Sequence, residues 1–248
     1  MAQWLDAKVT KRIDWNDHLF SLRFRCADFP QYTPGQFTKV GIAQDNNIIS
    51  RPYSLVSHPR SSELEIMAVP VKEGILSPKL HELREGDGLK VMAPATGFLV
   101  LNEVPDSDNI WLIATGTGVG PFLSILAGEE IWQRYKKVVL IYAARYQNDL
   151  AYGEFIQQCK SQRPAQFCYL PIVSREEVKG ALHGRIPGLL QSGDIINTAN
   201  TPLSNQQSQV MLCGNPQMIE DAMATLKDMG LKKHLRRSPG QITQERYW

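Results

Sequence analysis

The segment IWLIATGTGVGP, residues 110–121, joins a continuous apolar run to a glycine-rich turn. Such an uninterrupted run is typical of a central parallel strand that is covered on both faces. Glycines directly after a strand let a ligand approach the backbone closely, and the start of a following helix favours anions. Pro121 stands where the strict dinucleotide fingerprint has its third glycine, and the lysine of a P-loop is absent. The segment therefore predicts a strand-to-helix turn that either binds a nucleotide or only connects two elements.

Further apolar runs follow at Val138–Ala144, Phe167–Val173 and Val210–Cys213. Helical segments fit between them, and the last one is marked best, because Asn215 can cap its start and Gly230 can end it. Alternating strands and helices predict a Rossmann-like α/β domain with a parallel sheet, in which ligands bind at the carboxyl ends of the strands.

The first hundred residues have a different hydrophobic periodicity. Apolar and polar side chains alternate from Phe20 to Cys26, which predicts a half-buried strand. Weaker strand-like stretches occur at Phe37–Ile42, Leu64–Val71 and Leu89–Ala93, with turn formers between them. We therefore expect an α+β protein of two domains, with an antiparallel β-barrel at residues 1–104 and the α/β domain at residues 105–248.

The composition limits the class of protein. The chain has 248 residues and a formal net charge of only +2, so nothing marks it as a nucleic-acid binder. Its four cysteines form no C-x-x-C pair, which argues against a metal site or a ligated iron–sulfur cluster. Scattered thiols, a start without an apolar signal segment and apolar runs too short for a membrane span predict a cytoplasmic protein.

Polar and cationic residues follow the second and third apolar runs of the α/β part. An NAD-preferring site usually carries an acidic residue after the second strand, but here that strand ends in Ala144-Arg145. Ser174-Arg175 follows the third strand, and Arg185 lies in the loop beyond. Arginine offers a planar fork to phosphate oxygens, so the set favours a ligand with an extra phosphate over ordinary solvated arginines.

Motifs in both parts resemble those of ferredoxin–NADP⁺ reductases, and their order and spacing are similar to the short bacterial members. The first part carries Arg51-Pro52-Tyr53-Ser54 and, downstream, Gly74-Ile75-Leu76-Ser77. The second part adds the glycine-rich turn, Cys213-Gly214-Asn215-Pro216 and the closing pair Tyr247-Trp248. The resemblance extends over essentially the whole chain. It implies a barrel that binds FAD and an α/β domain that binds NADP(H).

The resemblance also implies the roles of the flavin-binding residues. Arg51 would neutralise the FAD pyrophosphate, Tyr53 would pack against the isoalloxazine, and backbone groups of Ala68 and Val69 would hold its pyrimidine edge. Of Tyr247 and Trp248, one would cover the exposed flavin face and the other the adenine, with Tyr247 favoured for the flavin. The remaining expected FAD contacts are Pro52, Ser54, Gly74, Ile75, Leu76, Ser77 and Thr117.

By the same resemblance, three residues are expected to take part in catalysis. Ser54 would place its hydroxyl near flavin N5, Cys213 would line the nicotinamide pocket, and Glu245 would be a proton donor near N5. A buried, inert core cysteine is the alternative for Cys213. The residues expected at the adenosine 2′-phosphate side of NADP(H) are Ala144, Arg145, Ser174, Arg175 and Arg185.

The activity that the resemblance implies is electron transfer between NADPH and a ferredoxin or flavodoxin by a monomeric enzyme. The basic run Lys232–Arg237 could steer such acidic carriers, although a solvated helix end would look the same. Three alternatives stay open: a free-flavin reductase of the same fold, a non-catalytic electron-transfer subunit, and a nucleotide-sensing module without turnover.

Overall fold

The computed structural model describes residues 2–45 and 47–246. The chain divides into two compact units, one of Met1–Val100 with Gly120–Gly128 and one of Leu101–Val119 with Glu129–Trp248. The predicted domain boundary between residues 104 and 105 stays a prediction.

The first unit contains one antiparallel sheet of six strands, in the order β4-β3-β6-β1-β2-β5. The two edge strands, β4 and β5, also approach one another, so the sheet curls towards a barrel as the sequence predicted. A short helix, α1, spans Ser77–Glu82 between β5 and β6. The strands are β1 Gln3–Asp14, β2 Phe20–Arg25, β3 Phe37–Gln44, β4 Asn47–Ser54, β5 Leu64–Ala68 and β6 Gly88–Ala93.

The inner face of β2 anchors the core of this sheet. Phe20, Leu22 and Phe24 are fully buried, as the alternation predicted. Ser21 on the opposite face is buried as well, and the indole Nε1 of Trp15 donates a hydrogen bond to its hydroxyl at 2.9 Å. The second face of the strand is therefore covered near its start.

Two strands of the first unit were not predicted from the sequence. Strand β1 was not predicted, because only Ala7 and Val9 in its twelve residues are buried and a register shift between Val9 and Lys11 breaks the alternation. Strand β4 was not predicted either: Arg51 to Ser54 were expected to follow a strand, and they lie within β4 instead. Pro52 is tolerated there because β4 is an edge strand.

A hydrogen-bond hub holds helix α2, Gly120–Leu126, within the first unit. The backbone oxygen of Ser57 accepts from the Ser124 hydroxyl at 2.6 Å and from the Tyr32 hydroxyl at 2.8 Å. The Ser57 hydroxyl accepts from the backbone N–H of Glu65 at 3.0 Å. Ser57 thus joins α2, the loop before β3 and strand β5.

We expect Ser124→Ala to lower the free energy of unfolding by about 1 kcal/mol, since Ser124 is fully buried and its hydrogen bond is lost. Urea titration followed by circular dichroism measures the change. The exposed hydroxyl of Ser161 on the surface provides a matched control, and Ser161→Ala should change little. Equal effects of the two variants would show that the Ser57 hub contributes nothing to stability.

The second unit contains a parallel sheet of six strands in the order β10-β9-β8-β7-β11-β12, as the α/β pattern predicted. The helices that accompany it are α3 Glu130–Arg134, α4 Gly153–Gln162, α5 Ile186–Gln191, α6 Asp194–Ala199 and α7 Pro216–Asp228. The strands are β7 Asn109–Thr115, β8 Lys137–Ala144, β9 Phe167–Val173, β10 Leu182–His183, β11 Ser208–Gly214 and β12 Ile242–Arg246.

The central strands and helix α7 form as their sequences predict. All residues of β11 are buried, and Trp111, Ile113 and Ile141 lie in the same core. The Asn215 side chain caps α7 by accepting from the N–H groups of Gln217 and Met218. Gly230, just past the helix, has a φ of +86°. Its left-handed conformation ends the helix, as expected for a glycine.

None of the helices in the described part of the chain is long and apolar enough to cross a membrane. Within the same residues, no three histidine, cysteine or carboxylate side chains group in a way that could hold a metal ion.

Candidate functional site

The Arg-Pro-Tyr-Ser motif occupies the last half of edge strand β4. Arg51 is exposed, and its guanidinium donates to the backbone oxygen of Ser50 at 2.8 Å. Tyr53 is half-buried and packs against the barrel core. Burial raises the pKa of Tyr53 to about 12, although the charge of Arg51 opposes the shift, so the phenol stays neutral. Ser54 ends the strand and is 5% exposed.

The other expected flavin contacts of the first unit lie on and after strand β5. Ala68 is buried at the end of β5, and the half-buried Val69 follows it. Strands β4 and β5 approach one another. The end of β5, with Ala68 and Val69, therefore belongs to a strand that neighbours the one carrying the tyrosine motif.

The turn from Gly74 to Ser77 leads into helix α1. The Gly74 N–H donates to the Val71 oxygen at 2.8 Å, and the Ser77 hydroxyl accepts from the Val71 N–H at 2.9 Å. Among the described residues, the N–H groups of Ile75, Leu76 and Ser77 have no hydrogen-bond acceptor. Three unpaired N–H groups at the start of a helix can bind an anion. The Ser77 side chain already closes the turn, so only its backbone N–H is available to a ligand.

The expected catalytic residues of the second unit lie on adjacent strands at the carboxyl edge of the sheet. Cys213 on β11 is in register with Glu245 on β12 and with Ala114 on β7. Cys213 is fully buried, whereas Glu245 is half-buried. The sheet thus places a thiol and a carboxyl side by side where the ligands of parallel α/β sheets bind.

The glycine-rich turn, Gly116–Val119, packs against this edge. A Cβ atom at Gly118 would come within 2.6 Å of the Cys213 oxygen and of the Gly214 Cα atom. Only glycine allows so close an approach of two backbones. The hydroxyl of Thr115 accepts a hydrogen bond from the Asn215 N–H at 2.9 Å and holds the same two segments together. The half-buried Thr117 is therefore held beside Cys213 by its neighbours in the chain.

Residues of the expected 2′-phosphate group come together at the ends of β8 and β9. Ala144 and Val173 are in register, the Ser174 N–H donates to the Ala144 oxygen at 3.1 Å, and the Arg175 N–H donates to the Arg145 oxygen at 3.0 Å. The three arginines of the group are exposed: Arg145, Arg175 and Arg185. In the described part of the chain none of them forms an ion pair with a carboxylate. Uncompensated guanidinium groups suit a phosphate ligand.

Sequence reasoning missed three features of this edge. Strand β12 was not predicted, because Ile242 is its only apolar residue and the alternation has no other signal. Thr115 and His183 were not singled out, although their positions next to the glycine-rich turn and before Arg185 could have drawn attention to them. The expected aromatic contacts Tyr247 and Trp248 lie outside the described residues.

The residues that are present fit the two expected ligands. A dinucleotide with a pyrophosphate needs unpaired N–H donors and a cation, which the turn at residues 74–77 and Arg51 supply. An isoalloxazine needs a neutral aromatic surface and hydrogen-bond groups, which Tyr53 and Ser54 supply. A 2′-phosphorylated nucleotide needs cationic forks, which the arginines supply in the second unit.

Comparisons with known proteins agree with this arrangement. Residues 6–99 match the family described as oxidoreductase FAD-binding domain, and residues 112–224 match oxidoreductase NAD-binding domain. A flavodoxin/ferredoxin–NADP reductase of Escherichia coli is 44% identical over 249 residues, which cover 100% of both chains. A ferredoxin–NADP reductase of Pseudomonas aeruginosa is 34% identical and covers 99% of this chain and 98% of its own. A crystal structure of a ferredoxin NADP⁺ reductase from Neisseria gonorrhoeae with bound FAD and NADP has a TM-score of 0.94, 31% identity and 99% coverage of both chains.

Proposed function

Because this chain belongs to the flavodoxin/ferredoxin–NADP reductase family, we propose that it is an FAD-dependent oxidoreductase that transfers electrons between NADPH and ferredoxin or flavodoxin. The observation that carries the proposal is the similarity over the full length of the relatives, which includes both nucleotide-binding parts. The same relatives decide against a free-flavin reductase, a non-catalytic subunit or a nucleotide sensor, because they are named as reductases of protein carriers.

We propose the first domain, residues 1–104, as the FAD-binding part. Arg51 and the N–H groups of the turn at residues 74–77 bind the pyrophosphate, and Tyr53 packs against the ring system. The Ser54 hydroxyl and the backbone at Ala68 and Val69 orient the flavin by hydrogen bonds. The other proposed contacts are Pro52, Thr117, Tyr247 and Trp248.

We propose the second domain, residues 105–248, as the NADP-binding part. Arg145, Arg175 and Arg185, together with Ala144 and Ser174, hold the 2′-phosphate. Their uncompensated positive charge supports the preference for NADP(H) over NAD(H), since the latter lacks that group.

Catalysis in this proposal is mostly positioning. Bound FAD supplies the ability to take up a hydride at N5 and to release electrons one at a time. Cys213 would line the nicotinamide pocket, where its buried thiol would exclude water, and the Ser54 hydroxyl would lie near flavin N5. Glu245 is the group that can hold or move a proton beside Cys213, with which it is in register.

The basic run 232–237 is the proposed contact for an acidic carrier. Arg236 donates to both carboxylate oxygens of Glu103, at 3.0 and 2.7 Å, and this pairing lowers the pKa of Glu103. The charge of Arg236 is therefore balanced by Glu103 within the protein. Not every cation of the run is then available to an acidic carrier. Lys232, Lys233 and Arg237 are the exposed cations that can steer the carrier.

The test compares two acceptors. With NADPH as donor, reduction of a purified flavodoxin should slow several-fold as salt rises to about 0.5 M, since charges separated by more than a Debye length are screened. Reduction of ferricyanide by the same enzyme should depend much less on salt. Measurable turnover with ferricyanide but none with flavodoxin or ferredoxin would refute the proposed function.

A pair of variants localises the carrier contact. The double change Lys232→Ala and Lys233→Ala should slow flavodoxin reduction at low salt by about threefold to tenfold. A single Lys160→Ala, at an exposed position on α4, serves as the control and should have little effect. If the rates of flavodoxin and ferricyanide reduction depended equally on salt, the basic run would not be part of the docking surface.

Four free thiols support a reducing compartment, and we propose the cytoplasm. The monomeric state stays a prediction, which size-exclusion chromatography with light scattering measures directly.

A further inference from the structure

The loops that follow β8, β9 and β10 carry the three arginines that we assign to the 2′-phosphate. The regular pairing of β8 with β9 ends at Ala144 and Val173. One more backbone bond joins the first two loops, from the Arg175 N–H to the Arg145 oxygen at 3.0 Å. Beyond that bond the loops need further contacts to keep one arrangement, because exposed connecting segments are the more mobile parts of a fold.

Glu176, in the loop after β9, makes such contacts with both of its neighbouring loops. Its carboxylate Oε1 accepts a hydrogen bond from the Gln147 backbone N–H at 2.5 Å. Its backbone oxygen lies 3.0 Å from Nδ1 of His183 and accepts a hydrogen bond there, since a carbonyl oxygen cannot donate. Gln147 lies two residues after Arg145, and His183 lies two residues before Arg185. Glu176 thus connects the segments that carry all three arginines.

A carboxylate in these loops is unfavourable for a phosphate ligand, because two negative charges repel. None of the ion pairs among the described residues includes Glu176, so its carboxylate does not neutralise the arginines. What the carboxylate does provide is a charged acceptor for the Gln147 N–H, and such hydrogen bonds are stronger than those of a neutral acceptor. The charge and the hydrogen bond of Glu176 therefore act on phosphate binding in opposite directions.

We propose that Glu176 is a positioning residue for nucleotide specificity, which holds the three loops so that their arginines can bind the 2′-phosphate together. This inference rests on the proposed function, because it assumes that the arginine group binds NADP(H). Glu176 acts through the arginines and not by contact with the nucleotide. Its hydrogen bond to the Gln147 N–H outweighs the repulsion between its charge and the phosphate.

The experiment is calorimetric binding of 2′,5′-ADP and of 5′-ADP to the holoenzyme. Glu176→Ala removes the acceptor together with the charge, so it should weaken 2′,5′-ADP binding by about threefold to tenfold, the size expected for one hydrogen bond. Glu176→Gln keeps an oxygen that accepts from the Gln147 N–H and removes the negative charge, so it should bind 2′,5′-ADP at least as tightly as the wild type does. Binding of 5′-ADP, which has no 2′-phosphate, should change less than about twofold in both variants.

Glu177→Ala is the matched control, because it removes the same charge from the next residue of the loop. Glu177 is exposed, and no hydrogen bond engages its carboxylate within the part of the chain that the structure describes. This variant should bind 2′,5′-ADP as the wild type does or slightly more tightly.

Three results would overturn the proposal. If Glu176→Ala binds 2′,5′-ADP as tightly as Glu177→Ala does, Glu176 positions nothing and the NADP site stands. If Glu176→Ala weakens 2′,5′-ADP and 5′-ADP equally, its role is general to the domain and not specific to the 2′-phosphate. If the wild type shows no preference for 2′,5′-ADP over 5′-ADP, the proposed function itself fails, and this inference fails with it.

Discussion

Replacing Gly118 with alanine is expected to lower the rate of NADPH oxidation by about a hundredfold or more and to destabilise the protein by about 2–3 kcal/mol. The new methyl group would lie 2.6 Å from the Cys213 oxygen and from the Gly214 Cα atom, and both are backbone atoms that cannot rotate away. Relief of the clash must move the glycine-rich turn or strand β11. Either shift displaces Thr117 or Cys213, and a displacement of about 1 Å at reacting groups can cost a hundredfold in rate.

Gly188→Ala is the matched control for Gly118→Ala. Gly188 lies in helix α5, and nothing stands within 4 Å of the place where its Cβ would be. Alanine should leave activity unchanged there and raise stability slightly, by up to about 1 kcal/mol. The measurements are the steady-state rate with ferricyanide and the melting temperature. Wild-type activity in Gly118→Ala would show that the close approach of the two backbones is dispensable.

Arg175→Ala is expected to lower kcat/KM for NADPH by about 30-fold to 100-fold and to change kcat/KM for NADH by less than about twofold. The Arg175 guanidinium is exposed, forms no ion pair among the described residues, and lies two residues after Val173, the last residue of β9. A charge-assisted, forked contact with the 2′-phosphate accounts for the loss, and NADH has no such phosphate.

The control for Arg175→Ala removes an arginine from the surface of the first unit. Arg60→Ala takes away the same charge at an exposed position and should alter both nucleotides equally and slightly. Equal losses with NADPH and NADH in Arg175→Ala would remove Arg175 from the 2′-phosphate site and would assign it a structural role.

Much of the fold can be predicted from the periodicity of the apolar residues alone. Strands β7, β8 and β9 are long apolar runs, and β2 alternates cleanly, so periodicity suffices for all of them. Strands β1 and β12 escape this signal for physical reasons. Strand β1 pairs with a strand on each side and buries only two small apolar residues. Strand β12 pairs with β11, whose residues are all buried.

The candidate site is predictable to a different degree in its two parts. The arginine group could be found because parallel strand ends meet at one edge, so that residues far apart in the chain come together. The flavin residues came from the resemblance, since a tetrapeptide on an edge strand has no periodic signal of its own. The register of Cys213 with Glu245 needs the structure, because strand β12 has only one apolar residue and was not predicted.

The absorption spectrum of the purified protein, recorded before and after addition of NADPH and then of NADH, tests the central claim most directly. The account predicts flavin bands in the visible region that survive dialysis and bleach much faster with NADPH than with NADH. A colourless protein after gentle purification, or bands that NADH bleaches as fast as NADPH, would contradict it.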